Sequence, residues 1–220
     1  MTDTEFPSAL ERALAVDSPS ARLQAALTAG SAPDPAFVDV LIARCAIEPD
    51  FYVRDMLTWA LTRHDTALVL ASLLPELHSD TPQARSQALH TLTKIADPSS
   101  WAAISPALLR DHDDQVARTA WRAAAGLVPV GHEPELAGLL ATQLGRGDRD
   151  VQRSLSRAFA QLGPAASVVI ETATTHDDEA VRSHALATAR LIADPDEDFD
   201  AAITEARRTV ALRAAPQVGG

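Results

Sequence analysis

One cysteine, Cys45, and one lysine, Lys94, occur among 220 residues. A single thiol builds neither a disulfide framework nor a cysteine-based zinc site. Its apolar neighbours Leu41, Ile42 and Ile47 mark it as a buried structural thiol. Aromatic residues make up 4% of the chain and there are 9 glycines, which argues against an all-β fold with its many turns. Long hydrophobic runs are also missing. No apolar stretch approaches the ~20 residues of a membrane span. The start, Met1-Thr2-Asp3-Thr4-Glu5, lacks the basic segment of a signal peptide, so a cytoplasmic protein is expected. Positive charge is scarce: 19 basic against 30 acidic residues give a net charge of −11. Bulk attraction to phosphate is therefore denied, and nucleic-acid binding would need a local basic face. The near-absence of lysine reads as a high-GC genome composition. What remains, 46% hydrophobic with a mean hydropathy of −0.03, suits one soluble domain.

A repeat is present. Residues 80–98 form a helix pattern with a capping Asp80-Thr81, a first-turn Pro82 and a stop at Asp97-Pro98. Ala84, Ala88, Leu92 and Ile95 fall on one helical face. The same sentence recurs with anchors at Ala21, Val53, Ala84, Val116, Val151 and Val181, spaced by 32, 31, 32, 35 and 30 residues. Four residues on stand Ala25, Leu57, Ala88, Ala120, Leu155 and Ala185; eight on, Ala29, Leu61, Leu92, Ala124, Phe159 and Ala189. A polar residue usually stands three places before the anchor, as at Ser18, Asp50, Thr81, Asp113, Asp148 and Asp178.

A second, more apolar set of helices lies between these, at about 5–16, 36–46, 66–78, 99–110, 133–144 and 165–174. A final helix, 196–212, carries Phe199, Ile203 and Val210 as its stripe and a charged outer side, as a terminal cap should. The expectation is an all-α fold: an α-solenoid, or superhelix, of about six antiparallel helix pairs plus a C-terminal capping helix. The single repeat domain spans 1–212, with repeats at 5–30, 35–64, 66–97, 99–128, 133–163 and 165–194. A flexible tail is expected at 213–220.

The run Asp178-Glu179-Ala180-Val181-Arg182-Ser183-His184-Ala185-Leu186 resembles the second helix of HEAT repeats. The short unit is similar to the HEAT-like repeats of bacterial proteins, including phycobilin-lyase relatives. The resemblance covers 5–195 and implies fold rather than function. It also implies that Asp50 with Arg54, and Asp178 with Arg182, bridge neighbouring repeats. Repeats four and five depart from the pattern, because their arginines stand one place later, at Arg118 and Arg153.

Catalytic and metal signatures are sparse. There is no Gly-rich phosphate loop, no Gly-x-Ser-x-Gly elbow and no His-Glu-x-x-His. Deoxyhypusine hydroxylases, also HEAT-like, use several His-Glu pairs in matching repeats to hold two irons; this chain has one, His132-Glu133. The triplets His112-Asp113-Asp114 and His176-Asp177-Asp178 lie two repeats apart and read as turn-and-cap chemistry. Arg146-Gly147-Asp148 reads as a glycine before an aspartate cap. No cofactor, metal site or catalytic residue is expected.

The functional signal lies on the outward side of the second helices, expected to be concave. Six places after the anchor come Trp59, His90, Arg122 and Arg157; two places after it come Arg118 and Arg153. Four arginines on adjacent helices, at i and i+4, cost a few tenths of a kcal/mol per pair and serve no obvious folding purpose. The reading is a non-enzymatic, monomeric scaffold. It would bind an acidic protein segment through Trp59, His90, Arg118, Arg122, Arg153 and Arg157. The alternative is a nucleic-acid binder. Residues 51–61 are somewhat similar to a repeat of HEAT-like alkylpurine DNA glycosylases, with Asp55 as the only acid near Trp59. That family's Trp-Asp motif is absent.

Overall fold

The computed structural model describes residues 5–214, and their side chains over 9–212. All regular structure there is helical, with no strand among the described residues. The chain divides into two compact units, Met1–Leu108 and Leu109–Gly220. The first contains α1 (Glu5–Leu14), α2 (Pro19–Ser31), α3 (Val38–Ile47), α4 (Phe51–Leu61), α5 (Thr66–Leu73) and α6 (Pro82–Ile95). A short α7 (Pro106–Leu109) spans the boundary. The second contains α8 (Asp114–Leu127), α9 (Glu133–Ala141), α10 (Arg149–Leu162), α11 (Ser167–Ala173), α12 (Glu179–Ala193) and α13 (Phe199–Ala214). The tail expected at 213–220 lies, apart from Arg213 and Ala214, outside the described residues.

The architecture is an all-α helix-pair repeat. In the first unit α2, α4 and α6 pack in sequence as one layer, and α1, α3 and α5 form the other. In the second, α8, α10, α12 and α13 form one layer and α9 and α11 the other. Aspartates set the phase of the second helices. Asp50, Asp113, Asp148 and Asp178 each accept two backbone N–H bonds from the first turn, at 2.7–3.1 Å. Each cap stabilises its helix by ~1 kcal/mol. Thr81 occupies the cap position of α6 but makes no such side-chain bond; Pro82 there removes one orphan donor instead.

The apolar stripe fills the space between layers. Val53, Leu57 and Leu61 of α4, Leu92 of α6, and Leu155 and Phe159 of α10 are all essentially buried. Each such side chain contributes about 1.5–3 kcal/mol relative to exposure. The stripe of α13 (Phe199, Ile203, Val210) is buried as well, and Phe199 and Ile203 pack with Ala187 and Leu191 of α12.

The end repeats depart from the expected phase. In α2 the buried residues are Arg22, Ala26, Ala29 and Gly30, while Ala21 is exposed. The cause is Gly30. A Cβ there would lie 2.4 Å from Cζ3 of Trp59 and 2.8 Å from the Cα of Ala60, so only glycine lets α2 approach α4 this closely. In α12 the buried face is widened to Ala187, because α13 covers it. The helix expected at 99–110 is instead a 3-10 turn, Pro98–Ala103, followed by the four-residue α7. Pro106 has no N–H to donate and drives Ser105 out of the helical region.

A buried ion pair organises the first unit. Glu48 has no exposed surface and Arg22 is 5% exposed. Arg22 forks onto the carboxylate (Nε to Oε2 2.8 Å, Nη2 to Oε1 2.7 Å), and its Nη1 donates to the carbonyls of Val16 and Asp17. Arg44 and the Asp50 N–H also donate to Glu48. Burial alone would raise the carboxyl's pKa. The bonds from Arg22, Asp50 and Arg44 more than offset that and hold it down at about 2.

Glu48→Gln strands two guanidinium groups, one of them buried, and should cost on the order of 3–5 kcal/mol in urea denaturation. The stabilisation from this carboxylate is complete above its unfolded pKa of 4.5 and is lost as pH falls from there towards about 2. Gly30→Ala should destabilise by ~1–3 kcal/mol through overpacking and shift tryptophan emission by displacing Trp59.

Candidate functional site on the second unit

The arginines divide into two sets according to one residue of register. Four places after the cap, Arg22, Arg54, Arg85 and Arg182 fold back, and their Nη1 groups donate to carbonyls five and six residues upstream. Arg54 bonds Glu48 O and Pro49 O at 2.9 and 2.8 Å; Arg182 bonds His176 O and Asp177 O at 2.7 and 2.6 Å. Arg85 bonds Ser79 O at 2.7 Å. Each closes the turn before its own helix. The expected bridging of repeats by Asp50 with Arg54 and by Asp178 with Arg182 is therefore corrected: the aspartates cap, and the arginines satisfy turn carbonyls.

In α8 and α10 this place holds Ala117 and Gln152. Gln152 still reaches the carbonyls of Gly145 and Gly147 at 3.4 Å. The turn before α8 is served from the next repeat, where Arg146 donates to Asp111 O and pairs with Asp114. Arg118 and Arg153, one position later, are released to the surface layer.

These two bring the other arginines with them. Arg118 reaches from α8 to α10, where its Nε donates to Ser154 Oγ at 2.9 Å. Arg157 stands three residues beyond Ser154 on the same helix. Arg122 lies close enough to Arg118 to feel its charge. Desolvation first, and that like charge second, push the Arg122 pKa down from its ordinary value. Arg122 and Arg157 are exposed, and neither has a hydrogen bond or ion pair among the described residues.

Arg153 is different. It pairs with Asp150 at 2.8 Å and with Asp200 of α13 at 2.7 Å, and its guanidinium lies 6.0 Å from the Phe199 ring centre. A cleft of about 570 Å³ opens beside it. Arg153 and Arg157 line it together with the acids Asp196, Glu197 and Asp198, and the buried Leu191 and Phe199 add apolar surface.

Trp59 and His90 belong to the first unit. Trp59 is 37% exposed, its ring packed over Gly30. His90 is half-buried and engaged within the chain. Asp55 is exposed. Elsewhere in the two outward positions the expectation fails: Ser86, Ser183 and Ala187 are buried. Of the other two tryptophans, Trp121 is fully buried with Nε1 on Leu109 O at 2.8 Å, whereas Trp101 is half-buried.

The remaining candidates are structural. Glu133 accepts from the Gly131 N–H, and His132 lies 3.3 Å from Glu135, both exposed. His176 Nδ1 accepts from the Asp178 N–H at 3.0 Å, a turn contact. No group of three or more His, Cys, Asp or Glu side chains is placed to hold a metal ion among the described residues.

One pair was not visible in the sequence and looks like chemistry. Ser156 Oγ lies 3.0 Å from Nε2 of the fully buried His184. Nδ1 of His184 accepts the Gly145 N–H at 3.0 Å, so the proton sits on Nε2, which also faces Gln152 O at 3.0 Å. Thr188 Oγ1 donates to His184 O, so Ser156 donates to Thr188 at 2.7 Å and accepts from the imidazole. In this tautomer Nε2 is a donor and cannot take the serine proton. The pair is a satisfied core network.

No family model matches the chain, and no curated protein matches it. Among solved structures it is similar to human deoxyhypusine hydroxylase in complex with glycerol, at 17% identity and a TM-score of 0.45, over 95% of this chain and 96% of that one. A likeness so distant transfers no residue role.

The His184 network predicts acid lability of the second unit. Burial lowers the imidazole pKa from 6.5 to about 4. Between those values the unfolded chain binds a proton that the folded one refuses, so stability falls as pH drops from 6.5 to 4, by about 3 kcal/mol in all. Urea titrations followed by Trp121 fluorescence should show this slope, and His184→Gln should flatten it.

Proposed function

We propose that this chain is a non-enzymatic interaction module whose second unit holds an acidic segment of a partner protein. The observation that carries this is the pair Arg122 and Arg157, exposed and without an ion pair among the described residues, on a layer where Arg118 already presents a third guanidinium. Keeping Arg122 partly desolvated beside Arg118 is unfavourable for the isolated protein, and an incoming carboxylate relieves it. Arg153, bound to Asp150 and Asp200, is a weaker contributor than its position in the sequence suggests. Within the HEAT-like class we place the chain with the short bacterial-type repeats, and we take it to act as a cytoplasmic monomer. Trp59 and His90 lie in the first unit and are left out of this reading.

The test is fluorescence anisotropy with a labelled octaglutamate peptide and, beside it, an oligothymidylate. The wild type should bind the peptide, and Arg122→Ala/Arg157→Ala should weaken it by ~10-fold or more with an unchanged melting temperature. Equal binding by the double variant contradicts the proposal. Preference for the oligonucleotide at ~0.15 M salt replaces it with a nucleic-acid reading, since phosphate contacts weaken steeply with salt.

A further inference from the structure

The α12–α13 connection reads Asp194-Pro195-Asp196-Glu197-Asp198-Phe199-Asp200. Its carboxylates are the chemistry that the arginine layer is proposed to recognise, and they already stand against it. Asp200 Oδ2 holds Arg153 at 2.7 Å, and Asp196 and Asp198 line the same cleft as Arg157. Phe199, buried beside His184 and beneath Arg153, pins the segment in place.

The contact is incomplete on the acid's side. Asp200 Oδ1 is buried without a hydrogen-bond partner. The Asp200 side chain as a whole is 44% exposed, and an ion pair so open adds little to stability, which makes it exchangeable. Arg153 keeps a second acid, Asp150, whichever way it turns. Glu197 is occupied by Arg190 and holds the connection to α12.

We infer that this connection is a built-in competitor: it holds Arg153 and screens Arg157, and a partner's acidic segment binds by displacing the Asp200 carboxylate from Arg153. The inference rests on the proposed acidic-partner reading and adds its regulation. Affinity is set by the exchange of one carboxylate for another, so it responds to the charge of residues 196, 198 and 200.

The experiment measures octaglutamate anisotropy on the full chain, with circular dichroism melting to confirm folding. Asp200→Asn should tighten binding by ~3–10-fold, and Asp196→Asn/Asp198→Asn, at two exposed positions, should act in the same direction. Adding Arg153→Ala to Asp200→Asn should remove the gain. Glu171→Gln, an exposed acid on α11 in the opposite layer, should leave affinity unchanged. If Asp200→Asn fails to fold, the Asp196/Asp198 pair decides. Wild-type binding with no gain in either connection variant overturns the competitor and leaves the acidic-partner reading standing. So does an equal gain from Glu171→Gln, which would report overall charge only. No binding by wild type or by any variant overturns both.

Discussion

Every second helix in this fold starts from a tight turn, and the carbonyls of that turn need donors that the helix cannot supply. In α2, α4, α6 and α12 the need is met by an arginine placed four residues after the cap. A guanidinium there spans the first turn of its own helix and donates to two carbonyls at once, as Arg54 and Arg182 do. Cap, arginine and anchor form a unit of five residues that fixes where each helix begins. The burial of Leu57, Leu92 and Leu155 follows from that phase. Arg22 extends the device, since the same guanidinium that closes a turn also pairs with Glu48 of the following repeat.

A shift of one residue changes the role of the same side chain. In α8 and α10 the closing position is Ala117 or Gln152, and the work passes to Arg146 and to the Gln152 amide. The arginines displaced by that shift lie on the surface layer, and with Arg122 and Arg157 they gather positive charge on an otherwise acidic chain. Of the four, Arg153 is paired with Asp150 and Asp200, whereas Arg122 and Arg157 have no ion pair among the described residues. Asp196 and Asp198, between α12 and α13, line the same cleft as Arg157.

Much of the fold was legible in the sequence. The aspartate caps and the apolar positions four and eight residues beyond each anchor are local signals, and α4, α8 and α10 follow them closely. The misses share a physical cause: each depends on what packs against the helix. The phase of α2 turns on Gly30 meeting Trp59, and the wide buried face of α12 on the presence of α13. The broken helix at 98–109 was signalled by Pro98 and Pro106, but the apolar pattern outweighed them. At the site, Arg118, Arg122, Arg153 and Arg157 were identifiable by spacing, whereas the pairing of Arg153 with Asp200 spans 47 residues and has no local signature. The partners of His184 and Glu48 are likewise distant in sequence, 28 and 39 residues away for His184 and 26 for Glu48 with Arg22.

The division of labour among the arginines is the central claim, and stability measurements test it most directly. Unfolding free energies would be compared for Arg54→Ala and Arg182→Ala on one side and Arg122→Ala and Arg157→Ala on the other. The account predicts a loss of ~1–2 kcal/mol for each member of the first pair, whose turn carbonyls lose donors, and a change within ~0.5 kcal/mol for the second. Comparable losses in both pairs would mean that Arg122 and Arg157 are structural, and would contradict it.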